Sequence, residues 1–278
     1  MDPAMTLFGS SALDAATARD QGPAAVRLAD VSKTFDRTGR STPVLVDINL
    51  TVAPGEFVCL LGASGCGKST LLSLIAGLET PTQGVVEVAG QPVDGRGGSP
   101  AALMFQEAAL FPWLSAGKNV ELALRLRGVP RGRRRAEAQR LLRLVRLDGA
   151  YDKRVHQLSG GMRQRVAMAR ALAQESSVLL MDEPFAALDA ITRDVLHEEL
   201  TRIWTETGLS VIFVTHNVRE AVRLGQRVVL LSSRPGRIAR EWRVDIPQPR
   251  RIESPAVAEL AAEITEHLRK EIARHGRA

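Results

Sequence analysis

Three short stretches of this chain hold residue types whose spacing implies chemistry. GASGCGKST, residues 62–70, fits the pattern G-x-x-x-x-G-K-[ST], with Gly62, Gly67, Lys68 and Ser69 at its fixed positions. A loop of this composition (Gly62, Ala63, Ser64, Gly65, Cys66, Gly67, Lys68, Ser69, Thr70) lets backbone N–H groups curl around phosphate oxygens. A helix beginning there adds its dipole. Lys68 is then placed for β- and γ-phosphates, and the Ser69 hydroxyl for Mg²⁺. VLLMDEP, residues 178–184, is an apolar run ending in two carboxylates. Asp182 suits a Mg²⁺ shell, and Glu183 suits orienting or deprotonating an attacking water. The third stretch, LSGGM at 158–162, is a second glycine-rich helix start in a chain that already has a phosphate loop.

Elements must bring these stretches together. Strand patterns fall at 26–35, 44–52, 57–61, 85–90 and 102–105. The phosphate loop follows the third of these and opens a helical pattern at 69–78. From 115 to 175 the apolar spacing is helical. Strands at 178–182, 210–215 and 227–232 then alternate with helices at 194–204 and 217–225. Buried apolar strands alternating with helices indicate a parallel sheet covered on both faces, with ligands at the carboxyl ends of its strands. A tail from 254 places Val257, Leu260, Ile264, Leu268 and Ile272 on one helical face. Residues 1–25 read as a mobile arm without a secretory pattern.

Composition bounds the function. Of 278 residues, 45% are hydrophobic, enough for a core, and the formal charge of +6 permits an anionic neighbour without choosing one. The basic run RGRRR at 131–135 reads as a solvated helix start rather than a nucleic-acid contact. Cys59, in an apolar run, and Cys66, in the phosphate loop, form neither a disulfide framework nor a metal site. No apolar run reaches the roughly 18 residues of a membrane span.

The phosphate loop, LSGGM and MDEP, in this order, resemble the ATP-binding cassette (ABC) ATPases over roughly residues 26–245. The resemblance implies an α/β fold: a P-loop NTPase parallel-sheet core, an N-terminal antiparallel β subdomain and a helical subdomain near 108–175 that carries LSGGM. A helical tail at 246–278 follows. It also implies a head-to-tail dimer of two copies. Each ATP then lies between the 62–70 loop of one copy and Ser159, Gly160 and Gly161 of the other. Phe35 resembles the adenine-stacking aromatic, Gln106 the residue linking Mg²⁺ and water to a partner contact, Asp189 the loop coupling the two sites, and His216 the γ-phosphate sensor. Cys66, beside a helix N-terminus, is expected to have a lowered thiol pKa, so that alkylation blocks ATP turnover and bound ATP protects.

FQEAALFPWLSAGKNV (105–120), ITRDVLHEEL (191–200) and SSRPGRI (232–238) resemble the ATPase subunits of importers for nitrate, aliphatic sulfonates and taurine. That implies transmembrane permease subunits as partners, docked at Gln106 and the Phe111–Trp113 surface. It also implies, indirectly, an extracytoplasmic solute-binding protein, a peripheral position on the cytoplasmic face of the membrane, and no nucleic acid. Asn217 departs from the acidic residue usual after that histidine, and should point away from phosphate. The competing readings are a soluble cassette ATPase acting on nucleic acid or ribosomes, and a P-loop small-molecule kinase. The kinase leaves LSGGM, Asp189 and His216 unexplained.

Overall fold

The computed structural model describes residues 23–37, 40–95 and 99–275. Most of the expected arm, 1–22, lies outside them, but Ala25 is buried and donates from its backbone N to Val52 O at 2.9 Å. In chain order the first half holds β1 (Val26–Arg37), β2 (Arg40–Val52), β3 (Phe57–Gly62), α1 (Lys68–Ile75), β4 (Gln83–Val88), β5 (Gln91–Pro92) and β6 (Ala101–Met104). Then come α2 (Ala116–Leu126), α3 (Arg131–Leu144), α4 (Gly160–Leu172), β7 (Val178–Asp182) and α5 (Ala190–Thr207). The chain continues through β8 (Ser210–Val214), α6 (Val218–Leu224), β9 (Arg227–Leu231), β10 (Ile238–Arg243) and α7 (Pro255–His275).

Two sheets carry the architecture. One is antiparallel, in the order β2-β1-β4-β5. The other runs β10-β9-β3-β8-β7-β6, parallel except for β10. Every residue of β3 and of β8 is buried, as continuous apolar strands require when both faces are covered. The two-residue period of β3 divides its side chains between two cores. Phe57, Cys59 and Leu61 belong to the core that α2, α3, α4, α5 and α6 cover. Val58 and Leu60 pack with α1 and the antiparallel sheet.

The helical region expected at 115–175 resolves into α2, α3 and α4 with irregular chain between them. Fully buried Asn119 holds the turn before α2, accepting from Phe111 N at 2.8 Å and donating to Ser115 O at 3.0 Å. The RGRRR run opens α3 on the surface, where Arg135 pairs with Asp152 and lies over the Tyr151 ring. In α7, Val257 and Ile264 are buried and Leu260 and Leu268 pack partly, while Ile272 is exposed, so the apolar stripe ends before the last turn. No helix among the described residues is long and apolar enough to cross a membrane.

Candidate nucleotide-binding site

The phosphate loop leaves the buried end of β3 and turns into α1 at Gly67, whose φ of 101° is open to glycine at little cost. Ser64 and Gly65 form the exposed tip, with Ala63 and Thr70 half-buried on either side. Lys68 is buried, its Nζ donating to Gly62 O at 2.9 Å and Ala63 O at 3.1 Å. The lysine therefore caps the loop's own carbonyls while its charge stays inside the concavity.

Asp182 ends β7, which lies two strands from β3, with β8 between them. Burial pushes its carboxyl above the usual range, and the Glu183 charge pushes the same way. A hydrogen bond with Ser69 and the Lys68 charge pull back. Glu183 follows at a φ of 44°, its backbone N donating to Val214 O at the end of β8. Such a backbone is uncommon for a side-chain-bearing residue. It turns the carboxylate toward His216, whose Nδ1 lies 2.9 Å from Glu183 Oε2. His216 is exposed and Glu183 partly so. Asn217 accepts at Oδ1 from Arg219 N and Glu220 N, capping α6. Its side chain is thus committed to the helix, a cap that an acidic residue also provides.

Of the other expected site residues, Phe35 is half-buried on β1, with the Lys33 ammonium 4.7 Å from its ring centroid. Gln106 is exposed on the loop after β6. No hydrogen bond among the described residues joins its side chain to Ser69 or Asp182. Its carbonyl accepts from Gln164 Nε2 at 2.8 Å, and Arg170 donates to Ala108 O and Ala109 O, so α4 straps this loop from two sides. Ser159 is the N-cap of α4, accepting from Met162 N. Beside it, Gly160 and Gly161 approach Leu188 and Thr192. LSGGM therefore sits against the Asp189 segment of its own chain. Asp189 caps α5, and the Thr192 backbone N–H holds its carboxyl below the usual range.

The acidified Cys66 thiol expected from its helix start is overturned. Cys66 is 1% exposed, and burial raises its pKa more than the Lys68 charge and backbone N–H groups lower it. Sequence reasoning also missed Thr215, His197 and Glu220, which meet beneath His216; their burial comes from tertiary packing and left no signal in the residue order.

Beyond the cleft, an apolar groove is lined by Leu103, Phe105, Phe111, Leu122 and Leu126. Phe105, Trp113 and Leu126 are exposed, and Trp113 leans on Phe111 at 5.4 Å.

Comparison with known proteins agrees with this geometry. The family model for ABC transporters matches residues 45–186. The chain is 43% identical over 254 residues to the uncharacterized ABC transporter ATP-binding protein MJ0412 of Methanocaldococcus jannaschii, covering 91% of this chain and 95% of that protein. It is 50% identical over 201 residues to the taurine import ATP-binding protein TauB of Burkholderia pseudomallei, covering 72% and 77%. It is 47% identical over 222 residues to the nitrate import ATP-binding protein NrtD of Synechocystis, covering 80% and 83%. A solved dimeric structure of the ATP-binding cassette MJ0796, bound to ADP and Pi, superposes with a TM-score of 0.69 at 33% identity, covering 80% of this chain and all of that one. A parallel sheet that ends in a phosphate loop and a carboxylate pair, under a family match spanning both, has one reading: the chain belongs to the ABC transporter family of ATP-binding proteins.

Proposed function

We propose that this chain binds and hydrolyses ATP to energise a membrane importer of a small solute, of the taurine, aliphatic sulfonate or nitrate class. The observation that carries the hydrolytic reading is the Glu183–His216 pair beside the Lys68, Ser69 and Asp182 cluster, all at the carboxyl ends of neighbouring strands. The relatives named for taurine and nitrate import support the solute class.

In this reading Lys68 exchanges the carbonyls of Gly62 and Ala63 for β- and γ-phosphate oxygens, and the loop amides hold the rest. Ser69 and Asp182 are hard oxygen donors already in contact, and the half-buried carboxylate beside Glu183 favours a cation, so the pair fits Mg²⁺. Bound there with Gln106 nearby, Mg²⁺ would neutralise phosphate charge. Glu183 orients the attacking water and takes its proton; His216 holds Glu183 and contacts the γ-phosphate. Phe35 stacks on adenine. The Ser159–Gly161 helix start serves the ATP of a second, head-to-tail copy, and Asp189 links the two sites. Residues 26–245 form the ATPase unit, with 108–175 as its helical part. Gln106 and the Phe111–Trp113 surface, beside the groove that Phe105 and Phe111 line, receive an apolar segment of a permease, which holds the chain at the cytoplasmic face of the membrane. A solute-binding protein is the indirect partner.

Gentle solubilisation of native membranes, purification through a tag on this chain and mass spectrometry test the assignment. Recovery of a multi-pass permease, with its solute-binding protein, is the expected result. Recovery of ribosomes or nucleic acid instead would overturn the importer reading and leave the ATP chemistry standing.

A further inference from the structure

One buried polar cluster is left unused by this chemistry. His197, two turns into α5, and Glu220, on α6, are 1% and 7% exposed. Glu220 Oε1 meets His197 Nε2, and Glu220 Oε2 accepts from Thr215 Oγ1. Thr215 Oγ1 in turn accepts from Asn217 N at 3.0 Å, and Glu220 N donates to Asn217 Oδ1 at 3.3 Å. His197 Nδ1 has no hydrogen-bond partner, the nearest carboxylate being Asp194 at 3.9 Å. The imidazole proton therefore sits on Nε2, facing Glu220.

Joining α5 to α6 does not need this arrangement. An apolar pair of similar volume would do so without burying a carboxylate. What the cluster adds is direction. Thr215 and Asn217 flank His216, and both are tied to Glu220, so the turn has one orientation, with the His216 ring outward at Glu183. The same helix grips the other side of the pair. Arg193, one turn before His197, donates to Phe185 O at 3.3 Å and Leu188 O at 2.7 Å, on the loop that follows Glu183. Glu183, Arg193, His216 and Glu220 line one small cavity.

We infer that His197 and Glu220 are positioning residues: through Thr215 they fix the turn that presents His216 to Glu183, and α5 thereby couples the Asp189 end of the helix to the hydrolytic pair. The inference rests on the reading of Glu183 and His216 as that pair.

The test compares His197→Phe, which keeps a ring against Phe185, with His197→Gln, which keeps a donor for Glu220. Expected for His197→Phe is a kcat lower by about tenfold or more, as misplacement of a reacting group produces, with MgATP affinity within about twofold of wild type. His197→Gln is expected to recover most of the rate. In a His216→Ala background, His197→Phe is expected to cost nothing further, because it acts through His216. Undiminished kcat in His197→Phe, a loss confined to nucleotide affinity, or an additive loss on His216→Ala would each overturn the inference. Glu220→Leu, which removes both acceptors, provides a second variant should His197→Phe not fold, with the same expectations. Were the wild-type chain to hydrolyse no ATP, the functional reading would fail by itself. The positioning claim would then be decided by the crystal structure of the variant that folds. A His216–Glu183 separation beyond about 3.5 Å supports it, and one unchanged from 2.9 Å refutes it.

Discussion

Glu183 and His216 are 33 residues apart in the chain, yet Oε2 of one lies 2.9 Å from Nδ1 of the other. The contact follows from register: Asp182 pairs with Val214, so the residues after each strand end emerge side by side. Replacing Glu183 by Gln keeps this shape and removes the base. Steady-state turnover is expected to fall by ~100-fold or more with ATP binding retained. Size-exclusion chromatography in ATP should then show a persistent dimer.

The Asp182 carboxyl sits above the usual carboxylate range, chiefly through burial and further through the charge of Glu183. Its folded-state proton is thus held to higher pH than in the unfolded chain. The stability this contributes is complete below the ordinary carboxylate range and is lost as pH rises through the raised value. Metal binding has the opposite dependence, since it needs the ionised form. Titration of nucleotide with Mg²⁺ across pH should show affinity falling, on acidification, before ordinary carboxylates protonate. Asp182→Asn should bind weakly at every pH.

A Cβ on Gly236 would lie 2.2 Å from Cys66 O, inside the phosphate loop. Gly236 is also locked to β2, donating to Val44 O and accepting from Val46 N. Backbone meeting backbone leaves nothing to yield cheaply, so Gly236→Ala is expected to cost about 1–3 kcal/mol in urea unfolding and to weaken ATP binding. Gly132→Ala, in the open at α3, should be neutral or slightly stabilising.

Trp113 is 68% exposed, and its carbonyl is held by Arg154. Trp113→Ala should lower recovery of the permease from membranes by about tenfold, the loss typical of an aromatic anchor. Equilibrium nucleotide binding should be unaltered.

Much of this was readable from residue order, and the exceptions have physical causes. β3, β7, β8 and β9 announced themselves as unbroken apolar runs because both faces of that sheet are covered. β10 did not: as an edge strand it buries Trp242 amid mostly charged, exposed neighbours, and its pattern resembles a loop. At Cys66 the helix start was legible and the burial was not, so the direction of the thiol shift came out reversed. His197 and Glu220 look like surface residues of two helices, and only tertiary packing brings them together.

The sheet order has a temporal consequence. β3, which carries the phosphate loop, is bracketed by β8 and β9, made from residues 210–214 and 227–231. During synthesis the ribosome must add some 150 residues after β3 before either neighbour exists, at roughly 5–20 residues per second. For that interval a wholly buried apolar strand lacks both of its sheet neighbours, shielded only by the elements made before β8, such as α1, and by any chaperone that reaches it. Nascent-chain truncations ending before β8 should therefore be the aggregation-prone ones, and those extending past β9 should be the first able to bind ATP.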